Sequence, residues 1–600
     1  MKHKNYYNSL QNIWYLFKRG WLYQKSLYIF NGILILFESL YPFIFVLFPK
    51  FILDELTGER RIDVLTIILT AFFLFMITFD LIMTFLRAKI EPQFTILRFK
   101  YVREHSDVCM KLNFEHTEDP DVLNQVHMSS KALSGNNDGI EGIYRKMFSF
   151  ISSIITFAGF LSLTLYLNPF ILAYLLLSSL LIYYINLKIK KFEHDNEEKL
   201  AKTDRKTTYV SDLLNDVRYG KEIRLYGIRR WIIDKYSALI KERIMNKNLL
   251  QKKHFFVNLL NIVFLLFREG IIYGYLIIRF LSHNITIGDF SVYFNVANQL
   301  TGQIQGVLDS IAYIQTQNIY INDYRKFIES LQNSDSEHEE KIPEMPYTIE
   351  FRNVSFQYPN SSQMVLKNFS YKFQYGKRVA LVGHNGAGKT TIIKLMTGLY
   401  SPTEGEILLN GININKLNRQ QYFNLFSVLF QDFKLFAFSI YENIALQGQQ
   451  NIDLDAVWKY INKVGLANKI NALPKKAETS LLKALDYDGI ELSGGESQRV
   501  ALARALYKDG NIFIMDEPTA AMDPLAEDQF YQLLNQMKEP GNTYIFVSHR
   551  LASTRFCDTI LMLQDGSILE EGSHQELIRK KGAYYELFEL QAKSYREEHK

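Results

Sequence analysis

Cysteine is nearly absent from this 600-residue chain: Cys109 and Cys557 are the only two, and neither sits in a CxxC pair or a Cys/His cluster. Neither a disulfide framework nor a zinc site is therefore expected. A strong charge of one sign is missing too. With 68 Lys and Arg against 63 Asp and Glu, the formal charge of +5 is too weak and too scattered to suggest nucleic-acid binding. Lys2, His3 and Lys4 open the chain, but no short apolar stretch with a small-residue cleavage site precedes the first long apolar segment. No cleavable signal is expected, and that segment itself directs insertion.

What the chain has in quantity is unevenly placed. Its length exceeds a single hydrophobic core, so two or more domains are expected. Phe, Tyr, Ile and Leu dominate the first half in long runs, whereas the region after Tyr347 reads as a soluble α/β mixture. Six segments approach the ~20 residues needed to cross a bilayer core: 27–48, 64–86, 148–167, 170–187, 255–281 and 290–311. The fourth is short and joined to the third by Asn168-Pro169. The sixth carries Asn295, Asn298, Gln299, Gln303, Gln305 and Asp309, and so can span only if that face meets a protein interior or a wet cavity.

Lys and Arg orient the bundle. Residues 87–147 hold nine and residues 188–254 hold eighteen, while Asn168-Pro169 and 282–289 hold none. The first outer loop, 49–63, breaks the pattern with Lys50, Arg60 and Arg61 among four acids. Both termini are expected on the cytoplasmic side. The inner stretches read as polar helices continuing from the spans. The expected division is a membrane domain over 1–330, a polar acidic linker over 331–347 and a soluble domain over 348–600.

Residues 383–391 read GHNGAGKTT between the apolar strand 379–382 and the helical run 392–396. This is the strand-loop-helix setting of a phosphate loop. Gly383, His384, Asn385, Gly386, Ala387, Gly388, Lys389, Thr390 and Thr391 are the candidate nucleotide contacts. The backbone closes on phosphate, Lys389 neutralises its charge and Thr390 offers a hydroxyl to Mg2+. The strand 511–517, NIFIMDE, ends in two acids suited to different tasks. Asp516 is expected on Mg2+ and Glu517 as general base toward water; the bland alternative is a pair of acids closing a strand. Tyr358, 25 residues before Gly383, is a candidate adenine stacker, although a lone Tyr is more often packing. Ser493, Gly494, Gly495 and Glu496 open a helix whose free amides and serine hydroxyl face an anion.

Lys389-Thr390, then LSGGE at 492–496, then Asp516-Glu517, in that order, resemble the ATP-binding cassette (ABC) transporters. The resemblance implies an α-helical six-span transmembrane bundle followed by an α/β phosphate-loop ATPase. It also assigns further residues. Gln431 in SVLFQD matches the glutamine that reaches Mg2+ and water, Asp523 in AAMDP the loop linking two nucleotide sites, and His549 in VSHR the histidine that meets the γ-phosphate. Three strings match exporter landmarks: 113–120 the first coupling turn, 220–224 the approach to the second, and 287–290 the opening of the sixth span. In the family, Ser493 to Gly495 serve the ATP of a partner subunit. One phosphate loop and one such helix per chain therefore imply a dimer, a homodimer being favoured because no motif is degraded. Glu496 stands where glutamine is more usual and is expected to modulate the rate.

Exporter architecture fixes direction more firmly than cargo. The strings SVLFQDF and SIYENIAL are similar to those of bacterial lantibiotic and bacteriocin exporters. They imply peptide export across a bacterial cytoplasmic membrane, with multidrug or lipid export as the alternative. No peptidase-sized domain precedes Leu27, so a separate leader peptidase, or peptide-modifying enzymes, would be the partners. Glu38, Asp80, Arg268 and Glu269 fall in or near the spans, where they either meet cargo or pair with one another. A soluble ABC ATPase acting on nucleic acid or the ribosome is disfavoured by the apolar runs.

Overall fold

The computed structural model describes residues 7–167, 206–332, 340–359, 361–518 and 541–597, with isolated positions between 168 and 205 and between 519 and 540. The fourth expected span lies mostly outside the described residues, and Asp523 lies outside them entirely. The chain forms two compact units, one of residues 1–110 and 125–328, the other of 111–124 and 329–600.

The first unit is helical: α1 Ser9–Tyr23, α2 Lys25–Thr57, α3 Ile62–Lys111, α4 Gly139–Leu167, α5 Arg229–Leu281 and α6 Ile287–Gln332. Among the described residues α2, α3, α4 and α5 are long and apolar enough to cross a membrane. Each contains the expected segment, and α3 continues well past it. At ~1.5 Å per residue its 50 residues reach about 75 Å, more than twice a ~30 Å bilayer core, so a polar extension is built into the same helix. Large apolar side chains such as Phe73, Leu74, Leu81, Leu266 and Phe267 lie exposed along α3 and α5, a surface that lipid covers at far lower cost than water. Inside, Val46, Phe160, Ile272, Leu276, Val296 and Leu300 join α2, α4, α5 and α6 in one apolar cluster.

The helix α6 runs unbroken from Ile287 to Gln332 through the polar segment that hydropathy ranks poorly. Two of its polar groups, Asn295 and Asn298, find partners within the unit. Asn298 accepts from Arg268 Nη2 at 2.9 Å, and Asn295 donates to the Ser291 carbonyl at 2.9 Å. Near its far end Asn318 and Asn322 accept from Asn12 Nδ2 at 2.6 and 3.0 Å, and the Arg325 guanidinium donates to Asn12 Oδ1 at 2.9 Å. This satisfied buried network ties α1 to α6. Three of the four ionisable groups named in or near the spans are paired: Glu38 with Arg87 at 2.9 Å, and Arg268 with its neighbour Glu269 at 2.5 Å. The cations that broke the charge pattern of the first outer loop are partly accounted for. Lys50 meets Asp289 at 2.6 Å, and Arg61 meets Glu55 and Glu59.

The second unit holds two sheets. The strands β1 Ile349–Gln357, β2 Met364–Phe373, β3 Arg378–Gly383, β4 Glu404–Leu409, β5 Ile412–Asn413, β6 Phe426–Leu429, β7 Ile512–Asp516, β8 Thr543–Val547, β9 Thr559–Gln564 and β10 Ser567–Gly572 occur in chain order. An antiparallel sheet has the order β2-β1-β4-β5, and a larger one the order β10-β9-β3-β8-β7-β6. In the larger sheet β6, β7, β8, β3 and β9 run parallel and only β10 is antiparallel. Every residue of β7 and β8 is buried, as a parallel sheet covered on both faces requires. Alternate residues of β3 feed different cores. Ala380 and Val382 face the cluster containing Val500 and Phe513, whereas Val379 and Leu381 face that of Phe351 and Ile392. Parallel alignment brings the carboxyl ends of β3, β7 and β8 to one edge, where open α/β sheets place ligands.

Candidate nucleotide site

The loop leaving β3 closes through glycines that no other residue replaces easily. At Gly383 (φ 151°) a Cβ would come within 2.4 Å of the Leu563 carbonyl oxygen, and at Gly388 (φ 96°) within 2.7 Å of Leu366 Cδ2. The chain then enters the helix α7, Lys389–Met396. Lys389 is buried, and its Nζ donates to the Gly383 and His384 carbonyls at 3.0 Å each. Desolvation holds its pKa below the usual lysine value, against the opposing pull of Glu517 and Asp516. An incoming phosphate would favour the charged form that burial disfavours.

Sequence-distant acids converge on this loop. Thr390 Oγ1 donates to Asp516 Oδ2 at 2.9 Å, while Asp516 Oδ1 is buried with no hydrogen-bond partner among the described atoms. Burial pushes the Asp516 carboxyl up to about 6, Glu517 adding to the rise while Thr390 and Lys389 oppose it. Glu517 adopts φ 49°, unusual for a residue with a Cβ, and its amide donates to the Val547 carbonyl at 3.0 Å. Its two carboxylate oxygens are held separately, Oε1 by His549 Nε2 at 2.5 Å and Oε2 by Gln431 Nε2 at 2.9 Å. Desolvation and the nearby Lys389 keep His549 below its ordinary pKa despite Glu517. The structure thus brings together Lys389, Thr390, Gln431, Asp516, Glu517 and His549.

Because the folded-state pKa of Asp516 lies above that of an unfolded aspartate, the folded state binds the extra proton. The contribution of Asp516 to stability therefore falls as pH rises from about 4 to about 6. Asp516→Asn, which can still accept from Thr390, is expected to raise the unfolding temperature of the nucleotide-free protein by several degrees at pH 8 and hardly at all at pH 4. Scanning fluorimetry at both pH values checks it; an equal shift at the two would remove the ionisation argument.

Tyr358 lies beside the phosphate loop, its hydroxyl 3.0 Å from Thr391 Oγ1 and its ring edge-on to Phe356 and Tyr400 at 5.0 and 5.4 Å. Lys394 Nζ sits 5.4 to 5.5 Å from the ring centroids of Phe114, Tyr358 and Tyr400 and 3.5 Å from Glu118. Glu118 also accepts from the Tyr400 hydroxyl. The sequence marks 113–120 as a coupling turn but gives no sign of Lys394, because a lone lysine in a helix reads as solvated surface. A second connection that it hides is Arg504, which donates to the carbonyls of Lys434 and Asn443 at 2.9 and 2.8 Å and so fixes the loop that follows Gln431.

Ser493 is the N-cap of the helix α8, Gly494–Lys508. Ser493 Oγ accepts from the Glu496 amide at 3.3 Å, and Glu496 Oε2 accepts from the Ser493 amide at 3.0 Å, a reciprocal capping box. An accepting hydroxyl keeps its own proton to donate, so the cap leaves Ser493 able to meet an anion. Glu496 also pairs with Lys469 at 3.3 Å, and its bond to the Ser493 amide holds its pKa below the usual glutamate value. Glutamine closes the same box, so Glu496→Gln is expected to change stability by under ~0.5 kcal/mol. Glu496→Ala is expected to lose about 1 kcal/mol. Chemical denaturation of the three proteins checks the order, which a larger loss in Glu496→Gln would reverse.

A phosphate loop on a central parallel strand, two acids closing the next strand but one and a capped glycine-led helix define a phosphate-loop ATPase, here in one chain with long apolar helices. Residues 366–520 match the ABC transporter family model. The chain is 30% identical over 495 residues to the subtilin transport ATP-binding protein SpaT of Bacillus subtilis, covering 80% of this chain and 77% of that protein. It is also 30% identical over 464 residues to the nisin transport ATP-binding protein NisT of Lactococcus lactis, covering 75% and 76%. A bacterial Atm1-family ABC exporter solved with ATP bound shares the fold, with a TM-score of 0.77 at 21% identity, over 95% of this chain and 99% of that one. The chain belongs to the ABC transporter family. It is a membrane protein that binds nucleotide and couples ATP hydrolysis to transport.

Proposed function

We propose that this chain is half of a homodimeric exporter that moves a ribosomally made peptide outward across a bacterial cytoplasmic membrane. The observation that carries the cargo reading is the length of the similarity to the subtilin and nisin transport proteins. An alignment of 495 residues is about twice the length of the ATPase region and must include much of the helical unit, where cargo passes. The proposed organisation is a six-span membrane domain over 1–330, a linker over 331–347 and a nucleotide-binding domain over 348–600, with both termini and the ATPase cytoplasmic. A separate leader peptidase or peptide-modifying enzymes would act on the cargo.

In this reading Tyr358 stacks on adenine. The amides of 383–391 and Lys389 hold the phosphates, and Ser493, Gly494 and Gly495 close over the γ-phosphate of the partner subunit's nucleotide. The residues at the loop also fit Mg2+. The orphaned, buried Asp516 Oδ1 and the Thr390 hydroxyl are hard oxygen donors, and Gln431 adds a carbonyl oxygen. Bound there, Mg2+ would neutralise charge on the β and γ phosphates. Glu517 takes the proton of the attacking water, with Gln431 and His549 fixing its carboxylate. Asp523 is proposed as the link between the two composite sites.

Reconstitution in lipid vesicles tests the cargo. A leader-bearing peptide encoded beside the gene is expected to stimulate ATP hydrolysis, and to accumulate inside cells that lack the transporter. Stimulation by amphipathic drugs or lipids, with none by any such peptide, would turn the reading to multidrug or lipid export.

A further inference from the structure

The C-terminal helix α9, Ala583–Glu597, reaches into the nucleotide site. Its first turn is anchored by Glu570, whose two carboxylate oxygens accept from the amides of Ala583 and Tyr584 at 2.7 and 3.1 Å. The fully buried Tyr584 places its hydroxyl 2.8 Å from His574 Nδ1 and 3.4 Å from Thr554 Oγ1. From this fixed base the helix presents Leu587 and Gln591, one turn apart, to a cavity of about 460 Å³ that they share with Gly383, His384, Asn385 and His549. The Gln591 side chain makes two bonds there. Its Nε2 donates to the His549 carbonyl at 2.6 Å, and its Oε1 accepts from the Leu551 amide at 2.9 Å.

A carboxamide carries a donor and an acceptor on one rigid plane, so a single side chain fixes both backbone groups flanking the turn from His549 to Leu551. We propose that Gln591 is a positioning residue for ATP hydrolysis: it holds the 549–551 backbone so that His549 stays on Glu517 and faces the γ-phosphate. The inference rests on the role assigned to His549 above. It makes the last helix of the chain one wall of the γ-phosphate chamber.

The test uses the full-length transporter in vesicles, with ATP hydrolysis and separate ATP and ADP affinities as readouts. Gln591→Ala removes both bonds. Gln591→Glu keeps the shape and the bond from the Leu551 amide but turns an oxygen toward the His549 carbonyl. Each is expected to lower kcat about tenfold and to reduce the preference for ATP over ADP several-fold, with ADP affinity and unfolding temperature unchanged. In a His549→Ala background, Gln591→Ala should lower the ATP preference no further, since it acts through that side chain. Wild-type kcat in Gln591→Glu would overturn the inference, as would equal losses of ATP and ADP affinity, or a loss that persists when His549 is absent. Full hydrolysis by His549→Ala alone would instead overturn the role given to His549, and the Gln591 inference with it.

Discussion

Glu517→Gln is expected to stop hydrolysis while leaving ATP bound. The substitution removes the basic oxygen but keeps a side chain of the same shape, and general-base contributions of ~10²–10⁴-fold set the scale of the loss. Glu517 is poised for the role by its surroundings. His549 Nε2 and Gln431 Nε2 each hold one carboxylate oxygen, and the unusual φ of 49° turns the side chain out of the strand line that ends at Asp516. Lys389, the group expected to hold phosphate, is untouched by the change, so nucleotide affinity should stay within about twofold. Single-turnover hydrolysis and equilibrium ATP binding on the same preparation separate the two quantities. A variant that hydrolyses at the normal rate would take the base assignment away from Glu517.

The second large effect concerns the composite site. Ser493→Arg is expected to keep ATP binding but lose hydrolysis, and Lys389→Ala to lose both, each by at least about 100-fold. Co-assembly of the two variants is the informative arm. In a mixed dimer one site combines two damaged halves, but the other combines an intact phosphate loop with an intact Ser493 helix. With half the dimers mixed and one site in two restored, hydrolysis should recover to about a quarter of the wild-type rate if the sites act independently. Such recovery requires that each site draw on two chains. If co-expression restores nothing although mixed dimers are recovered, either the two sites must both be intact to turn over or each site lies within a single copy.

Parts of the site were legible because they are contiguous. The phosphate loop needs a strand, a glycine-rich turn and a helix start in immediate succession, and all of these fall between Arg378 and Met396. The acids Asp516 and Glu517 were legible for the same reason, as the end of one apolar strand. The role of Glu496 was not. Its departure from glutamine draws a kinetic reading, and although Ser493 and Glu496 have the spacing of a capping box, it is the reciprocal bonds with Ser493 that show the box closed. The α6 helix was weak by hydropathy because a hydropathy window scores Asn295 and Asn298 as exposed to lipid, whereas both are hydrogen-bonded inside the unit. Gln591 had no signal at all. Glutamine is common on solvated helices, and its partners His549 and Leu551 lie 42 and 40 residues away.

The sequence by itself determined the family, the long apolar helices, the phosphate loop and the two acids, since each depends on residues adjacent along the chain. It also determined that one chain carries one phosphate loop and one LSGGE helix. Only the tertiary structure decided that Arg268 reaches Asn298, that Asp516 keeps one buried oxygen without a partner among the described residues, and that the last helix grips the turn from His549 to Leu551. These are contacts between single polar groups brought together by the packing of apolar neighbours. No local pattern encodes them, because the force that assembles them, burial of apolar surface, is indifferent to which polar groups meet.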